Sequence, residues 1–217
     1  MSKPEGLVFD LDGTLLNTLA SLAGAFNRAL KLRNHPTHPV TDYRHIIGDG
    51  ARTAVSRALP PGDRNELEIN HCLELFRQDY AQSWQNATVY EGVIETLERL
   101  DADLPVAVLS NKDNEFTQQC VEHFFPGKFT LAIGTSDSIK HKPHPSGAVR
   151  IADYLGTTTE QLWMIGDTST DMQTAQQSGM TGIGVLWGFR DRDELANHGA
   201  RHIIESPPEL LGLLKRQ

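Results

Sequence analysis

The sequence predicts an α/β protein: a doubly wound parallel sheet interrupted by a helical insert. Three observations carry this. Four short apolar runs, Gly6–Leu11, Pro105–Ser110, Leu162–Gly166 and Thr181–Leu186, lack polar alternation, as strands covered on both faces do. Helical patterns separate such runs from residue 88 onward, the rhythm of a parallel sheet. Residues 17 to about 85 break that rhythm, with helical patterns and no convincing strand.

Each element follows from local signals. Two weaker apolar runs, Phe129–Gly134 and His202–Ile204, add candidate strands. Asn114–Phe125 reads as the helix after the second strand. Ser146–Leu155 places Val149, Ile151, Ala152 and Leu155 on one side and stops at Gly156, a C-cap residue. Thr170–Ser178 stops at Gly179 in the same way. The last helix is expected to open at Ser206-Pro207-Pro208-Glu209, with a capping serine, an early proline and a glutamate three residues on. Within the insert, helices are expected at Leu19–Leu32, Tyr43–Ile47, Ala51–Leu59 and Arg64–Trp84. Asn34-His35-Pro36, Gly48-Asp49-Gly50 and Pro60-Pro61-Gly62 break them. The expected division is thus a sheet domain of residues 1–16 and 86–217 around a helical domain of residues 17–85.

Composition narrows the function. With 39% hydrophobic and 22% charged residues, the 217-residue chain can bury an ordinary globular core. Its formal net charge of −8 and lack of a basic run argue against a nucleic-acid or anionic-membrane partner. No signal-type segment or run of about 18 apolar residues is seen, so a cytoplasmic protein is expected. Cys72 and Cys120 lie in separate helical patterns and read as buried small side chains.

In an open α/β sheet, ligands bind beyond the carboxyl ends of the strands. The first run ends there in Asp10, Asp12, Gly13 and Thr14, the second in Ser110-Asn111, and the third clear run in Gly166-Asp167 with Asp171 four residues on. Lys142 follows the weak run in KHKPHP. Each has a plain reading: an acidic turn, a helix cap, a surface lysine, an acid at a helix start. Together, in order at strand ends, they form a chemical set. Asp10 and Asp12 are two residues apart and point the same way on an extended chain. One carboxylate can then attack phosphorus while the other moves a proton at the leaving group, helped by crowding that favours a protonated carboxyl. A phosphate dianion with ionised Asp10 and Asp167 carries about four negative charges, and Lys142 returns one. A hard divalent cation on carboxylate oxygens, Mg²⁺, supplies two more. Ser110 and the backbone of the Asp12-Gly13-Thr14 turn can donate to phosphoryl oxygens. Arg52, after the Gly48-Asp49-Gly50 turn, could meet a substrate carboxylate.

DLDGT, SN, KPHP and GDTSTD, in that order, resemble the four motifs of the haloacid-dehalogenase superfamily of phosphotransferases. The likeness spans essentially the whole chain, with the insert matching the family's mobile cap over a Rossmann-like core. IGDG in the insert, VLWGFR after the fifth strand and HIIESPPEL near the end are most similar to its phosphoglycolate phosphatase branch. The resemblance implies Asp10 as nucleophile and Asp12 as general acid and then base. It implies Ser110 and Lys142 as phosphoryl holders, and Gly13, Thr14 and Asn111 as substrate-binding. Mg²⁺ would sit on Asp10, the backbone carbonyl of Asp12 and Asp167, with Asp171 in support. True dehalogenases lack the second aspartate, so Asp12 favours phosphate over halide chemistry. The expected partner is a small phosphorylated metabolite, acted on by a monomer or homodimer. Pyrophosphatase, nucleotidase and sugar-phosphate phosphatase or mutase remain alternatives. So does a non-catalytic phospho-ligand-binding or receiver-like signalling protein, which would not need the insert or both aspartates.

Overall fold

The computed structural model describes residues 3–216. The chain begins with β1 (Gly6–Phe9) and β2 (Leu16–Asn17), then enters the insert through α1 (Leu19–Leu32), α2 (Tyr43–Ile46), α3 (Ala51–Ala58) and α4 (Glu66–Tyr80). It returns through β3 (Thr88–Val89) and α5 (Val93–Glu98) to β4 (Val106–Asp113), α6 (Asn114–Phe124), β5 (Leu131–Thr135) and α7 (Ser146–Leu155). The remainder is β6 (Leu162–Gly166), α8 (Ser169–Ser178), β7 (Thr181–Val185), α9 (Arg192–Asn197), β8 (His202–Ile204) and α10 (Glu209–Lys215).

Six parallel strands lie in the order β5-β4-β1-β6-β7-β8. The chain moves outward from β1 through β4 and β5, then restarts on the other side of β1. The strand order therefore reverses at β1, and a crevice opens there beyond the carboxyl ends. The apolar runs are fully covered because each serves two faces. Leu7, Phe9, Val106, Val108, Trp163 and Ile165 belong to one buried cluster. Their neighbours Val8, Ala107, Leu109, Leu162 and Met164 belong to the other. This is the two-residue period of a strand with no solvent side.

The four insert helices pack around aromatic rings. Phe26 of α1 stacks on Phe76 of α4, with centroids 3.9 Å apart and planes 8° from parallel. Phe76 stacks on Tyr80 at 5.4 Å. Tyr80 then meets Phe116 of α6 edge-on at 5.2 Å, which carries the column from the insert into the sheet domain. Both cysteines are buried and free, as expected.

Three details differ from the sequence reading. The pair β2–β3, Leu16 opposite Val89 and Asn17 opposite Thr88, ties together the points where the chain leaves and re-enters the sheet domain. Two-residue strands are too short to show periodicity. The last helix starts at Glu209, because Ser206 and the two prolines form a turn in which the Ser206 hydroxyl donates to the Glu209 carboxylate at 2.9 Å. Most consequential, β4 does not stop at Ser110. It continues to Asp113, with a register irregularity against β5 between Leu109 and Asp113, the kind of local bulge that re-aims side chains.

Phe26 is almost fully buried at the centre of the aromatic column. Phe26→Ala should lower the unfolding free energy by about 3–5 kcal/mol in urea denaturation. A loss below about 1 kcal/mol would mean the column contributes little.

Candidate active site

Asp10 follows β1 directly, and its backbone N–H donates to Ile165 O at 2.8 Å, so the β1–β6 pairing fixes its position. Lys142, on the loop after β5, donates to Asp10 Oδ1 at 2.7 Å and to Asp171 Oδ1 at 2.6 Å. All three side chains are buried. Burial pushes the Asp10 carboxyl up to about 7, against the pull of the Lys142 ammonium and with the added repulsion of Asp171 and Asp12. Asp167, at the end of β6, is fully buried. Its Oδ2 accepts from Phe189 N at 2.7 Å, and its Oδ1 accepts from the Thr14 hydroxyl at 3.3 Å. Burial, followed by Asp10 and Asp171, raises its pKa well above the usual carboxylate range.

Carboxylate oxygens of Asp10, Asp167 and Asp171 all lie within 4.8 Å of one another. One ammonium, Lys142, contacts two of these three carboxylates, and burial leaves little solvent to stabilise the excess charge. An oxygen-only donor set with excess negative charge fits a hard divalent cation.

Asp171 serves two purposes. Its Oδ2 accepts from Thr168 N at 3.0 Å and from the Thr168 hydroxyl at 2.8 Å, closing a capping box at the start of α8. Its other oxygen meets Lys142. The residue therefore both caps α8 and belongs to the buried charged cluster.

Asp12 sits in the turn after β1. Its Oδ2 pairs with Lys112 Nζ at 2.9 Å, while its Oδ1 is buried with no hydrogen-bond partner. Gly13 makes this turn possible with φ of +95°, and a Cβ there would lie 2.3 Å from Asp167 Oδ2. The expected role of Gly13 as a phosphoryl donor is corrected: its N–H donates to Leu16 O at 2.8 Å. Thr14 is likewise turned to Asp167, and its carbonyl accepts from the Trp187 indole at 2.9 Å.

Ser110 is buried and lines the cavity. Asn111 is not a substrate donor but a brace. Its amide NH₂ donates to Gly48 O at 3.0 Å and to Lys142 O at 3.2 Å, and its Oδ1 accepts from Lys142 N at 2.6 Å. One side chain thereby holds the Lys142 backbone and the insert's IGDG loop. The expected role of Arg52 is also corrected. It is exposed on the insert, donating to Asn70 Oδ1 at 2.7 Å and paired with Glu66. The Gly-Asp-Gly turn starts α3 in a direction that carries Arg52 away from the crevice.

Lys112 is the residue the sequence reading missed. Its ammonium is buried, donates to Tyr80 Oη at 2.9 Å, and lies 4.7 Å from the Tyr80 ring centre. Extending the second strand by two residues would have found it, since Ser110 and Lys112 then share a face.

The insert closes over this array. The Asp49 carboxylate accepts from the Thr170 hydroxyl at 2.7 Å, Arg44 donates to Gly188 O at 3.0 Å, and Arg190 donates to Ile47 O at 3.2 Å. Between insert and sheet lies a cavity of about 60 Å³. Asp10, Asp12, Ser110 and Lys112 form its polar side, and Leu22, Phe26, Ile47, Ala54 and Phe76 its apolar side.

Residues 7–185 match the family model for haloacid dehalogenase-like hydrolases. A phosphoglycolate phosphatase of Pseudomonas putida strain KT2440 is 31% identical over 210 residues, covering 94% of this chain and 75% of the relative. A phosphoglycolate phosphatase of Colwellia psychrerythraea strain 34H is 30% identical over 224 residues, covering 100% of this chain and 99% of the relative. The crystal structure of a Lactobacillus delbrueckii subsp. bulgaricus protein, provisionally named a phosphoglycolate phosphatase, superposes with a TM-score of 0.92 at 32% identity. It covers 98% of this chain and 99% of its own. With its motifs brought together at one crevice and its family model matched over most of its length, the chain belongs to the haloacid dehalogenase-like hydrolases.

Proposed function

We propose that this chain is a Mg²⁺-dependent phosphomonoester hydrolase that works through an aspartyl-phosphate on Asp10, with 2-phosphoglycolate as its preferred substrate. The observation that carries this is the division between the two aspartates. Lys142 holds Asp10 by one oxygen, which orients the second for attack on phosphorus. Asp12 keeps a buried oxygen with no partner, suited to handing a proton to the departing alkoxide.

In this mechanism Ser110 donates to a phosphoryl oxygen, and Lys142 screens the dianion as Asp10 approaches. The alcohol leaves with the proton from Asp12. Water then attacks the aspartyl-phosphate, and Asp12 takes the proton from that water, regenerating Asp10. The cation would be held by Asp10, Asp167 and the backbone carbonyl of Asp12, with Asp171 in support. When bound, it supplies Lewis-acid neutralisation of the phosphoryl charge. Residues 17–85 act as the cap: the Gly48–Gly50 loop, held by Asn111, covers the site and excludes water during attack.

One observation supports a small substrate: relatives at about 30% identity are named phosphoglycolate phosphatases. Among the described residues no helix is long and apolar enough to cross a membrane.

Phosphate release from 2-phosphoglycolate should require added Mg²⁺, stop in EDTA, and fall to background in Asp10→Asn; wild-type turnover by that variant would refute the nucleophile assignment. Asp12→Asn should lower kcat by about 10²–10⁴-fold, the usual contribution of a positioned proton donor. Across a panel of phosphomonoesters, kcat/KM should be highest for 2-phosphoglycolate and low for nucleoside monophosphates. An even profile would overturn the substrate assignment.

A further inference from the structure

We infer that Lys112 of the sheet domain and Tyr80 of the cap together form the specificity-determining wall of the cavity, and that they recognise a carboxylate on the leaving alcohol of the substrate. This rests on the phosphatase reading above and names the residues that choose its substrate.

Lys142 is committed to Asp10 and Asp171, so it serves the phosphoryl end of the site. Lys112 is the lysine that lines the cavity, with a side chain only 5% exposed. Burying a charge there is costly unless it is compensated. Asp12 takes one ion pair and the Tyr80 hydroxyl accepts one hydrogen bond, yet an ammonium carries three donors. Burial alone would push the Lys112 ammonium down, but Asp12 and Tyr80 outweigh burial and keep it charged.

Position gives the third donor its purpose. Lys112 pairs with Asp12, the group placed at the leaving oxygen, so it lies on the leaving-group side of the site. A carboxylate attached near the ester oxygen would arrive there. The cavity's opposite lining carries the apolar side chains of Leu22, Phe26, Ile47 and Phe76. The Tyr80 ring face, 4.7 Å from the ammonium, adds a cation–π contact that fixes where the donors point. Because Tyr80 comes from α4 and Lys112 from β4, the wall is complete only when cap and core are together.

The test compares 2-phosphoglycolate with ethyl phosphate, which keeps the two-carbon leaving group and lacks the carboxylate. Wild type should prefer 2-phosphoglycolate. Lys112→Met should reduce that preference by about tenfold to a hundredfold, the worth of a charge-assisted contact, mostly through KM for 2-phosphoglycolate. Any service of Lys112 to Asp12 lowers kcat on both substrates and cancels in the ratio. Tyr80→Phe keeps the ring and should shift the ratio in the same direction by less, which tests the wall even if Lys112→Met fails to fold. A preference unchanged in both variants overturns the assignment while the phosphatase stands. So does a wild type that hydrolyses the two esters equally. Absence of phosphate release from either ester by wild type refutes the phosphatase reading itself, and this inference with it.

Discussion

The site depends on one buried ammonium. Lys142 reaches Asp10 and Asp171 at once, and those carboxylates come from opposite ends of the fold's construction: a strand end and a helix start. The loop carrying the lysine has no sheet pairing at that point. It is positioned instead by Asn111, which accepts from the Lys142 N–H and donates to its carbonyl. Strand β4, helix α8 and strand β1 thus converge on a single lysine.

Such an array is not built for stability. Desolvating several charges costs more than their mutual attraction returns unless geometry and hydrogen bonding are very good. Here the carboxylates outnumber the ammonium, and Asp10 and Asp167 are both pushed toward their protonated forms by burial. The surrounding structure over-determines the arrangement. Phe189 N and Thr14 hold Asp167, Thr168 holds Asp171, and Gly13 and Gly188 leave no room for any larger residue against Asp167. Excess carboxylate charge held there is charge available to a cation and a phosphoryl group.

Much of this was legible in the sequence, for physical reasons. Buried strands announce themselves by unbroken apolar runs, and the strand-end rule then placed Asp10, Asp12, Ser110, Lys142, Asp167 and Asp171 at one crevice. What it could not show was which donors were already occupied. Asn111, Gly13 and Thr14 have the right chemistry to bind substrate, but the structure uses them to hold a loop, close a turn and support a carboxylate. Arg52 failed because direction at a helix start depends on tertiary packing rather than on spacing. Lys112 is hidden in the sequence because the polar residues after Leu109 read as the end of a strand that in fact continues to Asp113. A bulged strand entering an active site is polar where it matters most.

The two-faced use of Asp171 has an evolutionary corollary. An asparagine could still accept from Thr168 at the head of α8, but its amide would turn a donor or a neutral oxygen toward Lys142. A glutamate would keep the charge and lose the short reach that closes the capping box. No neighbouring amino acid satisfies both demands, so the position has no neutral path by which to drift. Secondary structure and chemistry share one carboxylate, and each of these substitutions keeps one of the two only by giving up the other.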